Sequence, residues 1–272
     1  MNNKYIEKPS DSQMDLIARL QKESEISSGA CSVCKGAGGW TNDLGQYTFC
    51  ECEKEKMFIN KCAKAHIPHK NLGKSLEEHW NLRQDVWGNN LSQNALDKKA
   101  DIKKLVERYT KVLPAIIAGN PLKIKPRIGT AINLTSLLFQ GGQWSGKSLL
   151  CTLIAQEAVR KNLSVEFVDW SELYSDLSGF ENREKQSEWA DIFATKDLII
   201  LDGVDYYDIR NPAFVIQLDR VARARTRCGK PIIISAYPGY EKIEAGHGWS
   251  SLLASCFKIT LPTPEPPKPY AS

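Results

Sequence analysis

Residues 136–150 read SLLFQGGQWSGKSLL, and this stretch decides the fold. A short apolar strand (LLFQ) enters the pattern G-x-x-x-x-G-K-[ST], which runs from Gly141 to Ser148. An apolar helix-former, SLLCTLIAQEAVRK, leads out of it. Each residue type has a physical reason to be there. Glycines let backbone N–H groups curl around phosphate oxygens, and the following helix presents the positive end of its dipole. Lys147 is long enough to reach β- and γ-phosphates, and the Ser148 hydroxyl is a ligand for Mg2+. The nucleotide-binding residues read from the pattern are Gly141, Gly142, Gln143, Trp144, Ser145, Gly146, Lys147, Ser148 and Leu149, with ATP and Mg2+ as the expected ligands.

Outward from the loop, apolar strands alternate with helices. INLTSLLFQ, LSVEFVDW, DLIILDG, KPIIISAY and CFKITLP read as strands, with helices at about 147–161, 171–177 and 211–227. That rhythm predicts an α/β fold with a parallel sheet covered on both faces. The strand LIILD delivers Asp202 to its carboxyl end, the place from which a carboxylate holds Mg2+ through water. In such sites a second acid usually follows at once and orients the attacking water. Here Gly203 takes that position and the next acid is Asp205, the candidate catalytic carboxylate.

Before the core, residues 11–26 carry Met14, Ile17 and Leu20 at helical spacing, and a lysine-rich helix is expected over 53–65. KADIKKLVERYTKVL predicts a helix ending before Pro114, and AGNPLKIKPRIGT reads as a linker. The tail TPEPPKPYAS has nothing to bury and is expected to be disordered.

Four of the eight cysteines are bunched as Cys31-x-x-Cys34 and Cys50-x-Cys52. Two short thiolate pairs that converge suit tetrahedral Zn2+, and four protein ligands make such a site structural rather than catalytic. Because the second pair is tight, Cys62, His66 and His69 stand as alternatives for one ligand. An iron–sulfur cluster and free thiols are the competing readings. Trp40, Tyr47 and Phe49 lie between the pairs and are expected to form the module's small core.

Composition sets bounds on all of this. With 272 residues, 42% hydrophobic and 25% charged, the chain is long enough for a substantial core. The net charge of +4 admits an anionic partner without requiring one. No apolar run is long enough to span a bilayer, and MNNKYIEKPSDSQ lacks the apolar stretch of a signal peptide, so a cytoplasmic protein without membrane contact is expected.

The order of CSVC…CEC, AHIPHKNLGKSLEEHW, GGQWSGKS, LIILDGVD and RVARARTRCGKPIIISAYP resembles the DnaC/DnaI-type loaders of bacterial replicative helicases. These are AAA+ ATPases with many phage members, and the resemblance covers nearly the whole chain. It implies a zinc-binding, helicase-docking module over 1–64, a connector and helical linker over 65–133, an AAA+ core over 134–262 and a tail over 263–272. The chain stops soon after IIISAYP, so the core is expected without a lid domain. The implied partners are a hexameric DnaB-type replicative helicase, single-stranded DNA and further copies of the chain in a spiral oligomer. The implied function is an ATP-binding adaptor that loads the helicase onto single-stranded DNA.

Three departures from the family pattern predict weak or absent ATP hydrolysis. Gly203 replaces the second acid, Ala236 replaces a sensor asparagine, and GWSSLLASCFKITLP lacks an arginine to reach a neighbour's nucleotide. LDRVARARTR places Arg220, Arg223 and Arg227 on one helix face, and Arg225 aligns with an arginine common in the family. Arg223 and Arg225 are therefore candidate trans-acting residues, with DNA phosphates as the other use. Tyr174 and GFENREKQSEW fall where loaders carry a DNA-contacting insertion. A transposition-type AAA+ regulator polymerising on DNA and a helicase-binding inhibitor are the competing functions. The cysteine module and the IPHK connector weigh against the regulator.

Overall fold

The computed structural model describes residues 31–42, 45–76, 80, 91–124, 132–179, 183–205 and 211–263. The expected 11–26 helix and the tail from 264 onward lie outside them. The chain divides into two compact units, residues 1–58 and 59–272.

In the first unit, strands β1 (Gly39–Thr41) and β2 (Tyr47–Phe49) form an antiparallel hairpin with Trp40 opposite Thr48. Helix α1 (Glu51–Lys64) starts here and its last residues, 59–64, belong to the second unit; Glu51 and Glu53 stand in its first turn and Lys61 and Lys64 in its last, charges that match the helix dipole. The expected aromatic core does not form. Trp40, Tyr47 and Phe49 are 47%, 54% and 45% exposed. Strands of three residues offer too little surface to enclose three large rings; Tyr47 and Phe49 pack edge to face, and the Tyr47 hydroxyl donates to the Ala37 carbonyl at 3.4 Å.

The second unit is built on a five-stranded parallel sheet in the order β6-β7-β8-β5-β9. The strands are β5 (Ser136–Gln140), β6 (Val165–Asp169), β7 (Leu198–Val204), β8 (Ile232–Ala236) and β9 (Cys256–Thr260). Residues 198–201 of β7 and 232–234 of β8 are fully buried, as expected for apolar runs covered on both faces. The helices are α2 (Gln93–Ile117), α3 (Lys147–Arg160), α4 (Trp170–Ser178), α5 (Arg183–Thr195), α6 (Pro212–Cys228) and α7 (Gly246–Ala254). Two further strands, β3 (Leu122–Ile124) and β4 (Ile132–Leu134), pair antiparallel away from the main sheet.

Several expectations are corrected here. INLTSLLFQ is two strands, not one: Thr135 separates β4 from β5, and the Tyr109 hydroxyl donates to the Thr135 carbonyl at 2.7 Å. β3 lies inside the stretch read as linker, where the buried Leu122 faces Leu134. Helix α2 runs through Pro114, because Leu113 and Ile116 on either side are buried and that burial outweighs a proline cost of about 3 kcal/mol. GFENREKQSEW contributes to α5, whose Trp189 is 8% exposed and part of the core. Tyr174 packs on Phe214 with ring centroids 4.7 Å apart.

The AHIPHKN connector is fastened to the core by buried polar contacts. Gln156 of α3 donates to the Asn71 carbonyl at 2.9 Å and accepts from the Gly73 amide at 3.1 Å. The Phe167 amide on the edge strand β6 donates to the Ala65 carbonyl at 2.9 Å. Next to it, His66 Nδ1 pairs with the buried Glu166, which also holds Lys196 at 2.7 Å. The hydrogen bond to Glu166 raises the His66 pKa above its ordinary value. A raised folded-state pKa contributes stability below about pH 6.5 that is lost as pH rises through the folded value. His66→Gln should therefore flatten the dependence of the urea midpoint between about pH 5.5 and 8.5. The effect should stay below about 1 kcal/mol, since the imidazole is 45% exposed. An unchanged pH profile would show that the pair is inert.

Candidate nucleotide and metal sites

The phosphate loop connects β5 to α3. Gly146 has φ +90°, a conformation that glycine adopts without strain, and it turns the chain into the helix. A Cβ there would lie 3.1 Å from the Trp80 ring, so Trp80 closes on the loop from the connector. That indole is itself fixed, donating to the Lys99 carbonyl at 2.6 Å. Nothing local in SLEEHW marks Trp80 as a neighbour of the loop. Trp144 stands 57% exposed at φ +64°, and the Ser145 hydroxyl is buried with no partner in the protein. An orphaned hydroxyl in a glycine-rich loop at a helix amino terminus fits an anionic phosphate ligand.

Lys147 folds back and donates to the carbonyls of Gly141 and Gly142, each at 2.8 Å. Burial lowers its pKa, while the carboxylates of Asp202 and Asp205 and the Cys151 thiol push it back up. Ser148 donates to Asp202 Oδ1 at 3.1 Å, which brings together the hydroxyl and the carboxylate expected to share Mg2+. This oxygen pair is the hard donor set that Mg2+ takes. The Ser235 hydroxyl also donates to Asp202 and accepts from the Gly203 amide at 2.8 Å. Gly203 has φ +83° at a register shift between β7 and β8, so the strand end kinks where a second acid would otherwise stand. Asp205 follows directly after the kinked end of β7, and its charge bears on both Lys147 and Tyr237.

Asp169, which the sequence reading passed over, is the register partner of Asp202 on the adjacent strand. The signal was present: VEFVD ends in an acid just as LIILD does. Its carboxylate caps α4, accepting from the Ser171 amide at 2.8 Å. A cleft of about 380 Å³ opens at this end of the sheet, lined by Ser148, Asp202, Asp169, Glu172, His69 and Lys70 among others.

The arginines of α6 separate sharply. Arg223 is exposed and pairs with Asp219 at 2.6 Å, and Arg220 and Arg227 are exposed too. Arg225 is fully buried. Its guanidinium donates to the carbonyls of Phe193, Lys196, Asp197 and Pro231, tying the end of α5 to the start of β8. The expectation that Arg225 reaches a neighbouring subunit or DNA is corrected: a side chain enclosed this way is a strut of the fold. The surrounding spacing gave no warning, because the acceptors are backbone carbonyls from two other segments.

In the first unit, the sulfurs of Cys31, Cys34, Cys50 and Cys52 lie within 4.8 Å of one another. Cys62, His66 and His69 are not in that cluster. Backbone N–H groups of Cys34 and Val33 lower the Cys31 thiol to about 6, whereas its sulfur neighbours, Cys34 first, raise Cys52 to about 12. Amides aimed at sulfur, and four thiols too crowded to ionise together unaided, form a donor set that fits a thiophilic dication such as Zn2+.

The glycine-rich loop, with the Ser148 hydroxyl on the Asp202 carboxylate, therefore lies at the carboxyl end of a parallel α/β sheet, where a nucleotide phosphate chain fits. Residues 128–237 match the family model of the IstB-like ATP binding protein. The matched segment spans β5 to β8 and so contains both the loop and Asp202. No curated protein matches the chain. Among solved structures, the chain is similar to the DnaC helicase loader at 11% identity and TM-score 0.46, covering 68% of this chain and 99% of that one. It is similar to DnaI at 16% identity and TM-score 0.43, covering 66% and 92%. The AMPPCP-bound DnaA from Aquifex aeolicus matches at 12% identity and TM-score 0.47, covering 68% and 51%. The chain thus spans about half the length of that DnaA structure. Among the described residues, no helix is long and apolar enough to cross a membrane.

Proposed function

We propose that this protein is an ATP-binding AAA+ adaptor that loads a DnaB-type replicative helicase onto single-stranded DNA, with nucleotide acting to assemble the complex rather than to drive it. The observation that carries the nucleotide half is the contact of Ser148 with Asp202 beneath a loop whose Lys147 is poised behind it. ATP and Mg2+ would bind at Gly141–Leu149 and Asp202, and Zn2+ at the four cysteines. Three features support slow hydrolysis: the kinked Gly203 in place of a second acid, Ala236 at the sensor position, and the buried Arg225, which cannot serve as a finger. Removing one transition-state donor typically costs about 10²–10³ in rate, so losing several leaves little turnover. Asp205 and Arg223 are the acid and the arginine that would supply what is left.

The expected result is tight MgATP binding that Lys147→Ala weakens by about a hundredfold or more, with steady-state turnover well below about 1 per second. Turnover should stay low with single-stranded DNA and helicase present. A turnover near 1 per second, abolished by Lys147→Ala, would overturn the slow-hydrolysis reading. For the loading half, the test is co-purification with a hexameric DnaB-type helicase, lost on Cys31→Ser, followed by loading onto protein-coated single strands. Complex formation without loading would identify an inhibitor. The IstB-like match is equally compatible with a transposition-type regulator, and polymerisation on double-stranded DNA without helicase binding would establish that reading instead.

A further inference from the structure

Tyr237 follows Ala236 at the carboxyl end of β8, and the chain there is pinned from two sides. The Gly141 amide of the phosphate loop donates to the Ala236 carbonyl at 3.3 Å. The Tyr237 amide donates to the Val204 carbonyl, at the end of the strand that carries Asp202, at 2.9 Å. The half-buried side chain therefore stands on backbone tied to both halves of the nucleotide site. Its ring lies under Lys147, with Nζ 4.1 Å from the ring centroid. That is a cation–π distance, and the same ammonium is held by two loop carbonyls.

We propose that Tyr237 reads the terminal phosphate of the bound nucleotide, its ring steadying Lys147 and its phenol donating a hydrogen bond to the γ-phosphate. This rests on the nucleotide-binding reading above. Lys147 is the residue that must meet the β- and γ-phosphates, so a ring stacked on its ammonium is next to where they arrive. Ala236, the preceding residue, has no side-chain donor to offer, and Ser235 is already spent on Asp202 and Gly203. Burial and the charges of Asp202, Asp205 and Asp169 raise the Tyr237 pKa, which keeps the phenol protonated and able to donate. A donor surrounded by acids is favoured once a metal and phosphates balance their charge.

The test is calorimetric titration of the full chain with a non-hydrolysable ATP analogue and with ADP, both with Mg2+, for wild type and Tyr237→Phe. Phenylalanine keeps the ring over Lys147 and removes only the hydroxyl, so the fold is undisturbed and a matching thermal melt confirms it. The expected result is an ATP-analogue Kd about tenfold weaker, the size of a lost hydrogen bond to a charged group, with ADP affinity within about twofold of wild type. Equal affinities for both nucleotides in the two proteins would overturn the proposal, and so would an equal loss for both. If wild type binds neither nucleotide, the nucleotide reading itself fails and this inference with it.

Discussion

Replacing Arg225 with methionine should cost about 3–5 kcal/mol of stability, the range for leaving a buried charged network without its partner. Four backbone carbonyls depend on one guanidinium, those of Phe193 and Lys196 at 3.0 and 2.7 Å from Nη1, and those of Asp197 and Pro231 on Nη2. Methionine is flexible enough to fill the space without a cavity, so the loss isolates the hydrogen bonds. Burial lowers the arginine pKa to about 10, which still leaves it charged at neutral pH. That charge sits at the carboxyl end of α5, where exposed carbonyls and the helix dipole favour a cation. A lysine should recover little, because a compact ammonium cannot span four acceptors held in a fork. The expected fall in Tm is on the order of 10 °C for a unit of this size. Arg223→Ala, two residues away, is the control. Its ion pair with Asp219 is half exposed and one helical turn long, worth about 0.5 kcal/mol or less. A melt of the Arg225 variant within about 2 °C of wild type would refute the strut.

The contrast between these neighbours marks what the sequence carries. The phosphate loop was legible because its physics is local: a strand, glycines, Lys147 and Ser148 at fixed spacing before a helix. The central strands β7 and β8 were legible because a buried parallel strand is a continuous apolar run, as in LIIL and PIII. The cysteine cluster was legible because its two pairs each sit within a single turn. What was missed depends on residues far apart in the chain. Arg225 finds its acceptors about thirty and six residues away on either side, and α-helical spacing says nothing of them. Trp80 meets Gly146 only because the connector wraps back onto α3 through Gln156. Tyr237 acquires its place from two strand ends, not from its neighbours in YPGY. The kink at Gly203 belongs with these: its residue type was visible, but the serine that holds the strand end in shape comes from β8.

If the proposed Zn2+ occupies the four cysteines, its removal should unfold the amino-terminal module, because little else among the described residues of 31–58 holds it together. The described buried apolar side chains there are Cys34, Cys50 and Phe58, two of which are themselves sulfur ligands. The three aromatics that a metal-free core would need are roughly half exposed, and each strand has three residues. Against this, Zn2+ held by four thiolates contributes on the order of 10–16 kcal/mol to folding in small zinc modules. The sulfurs already stand in two close pairs, Cys31 with Cys50 at 3.7 Å and Cys34 with Cys52 at 3.4 Å, each joining one knuckle to the other. A single ion at their centre therefore closes the loop between the knuckles. Protein purified without added metal should contain close to one zinc per chain. A strong chelator should then expose residues 31–58 to limited proteolysis while the melting of residues 59–272 is unchanged. Cys34→Ser should do the same without chelator. Because thiolates must be deprotonated to bind, zinc should be lost as pH falls, with Cys52 the ligand most dependent on the metal to ionise. Iron in place of zinc, with visible absorbance, would make the centre a cluster. A module that stays protected after complete metal removal would show that the four sulfurs pack as thiols, and that the aromatic hairpin is more stable than its exposure implies.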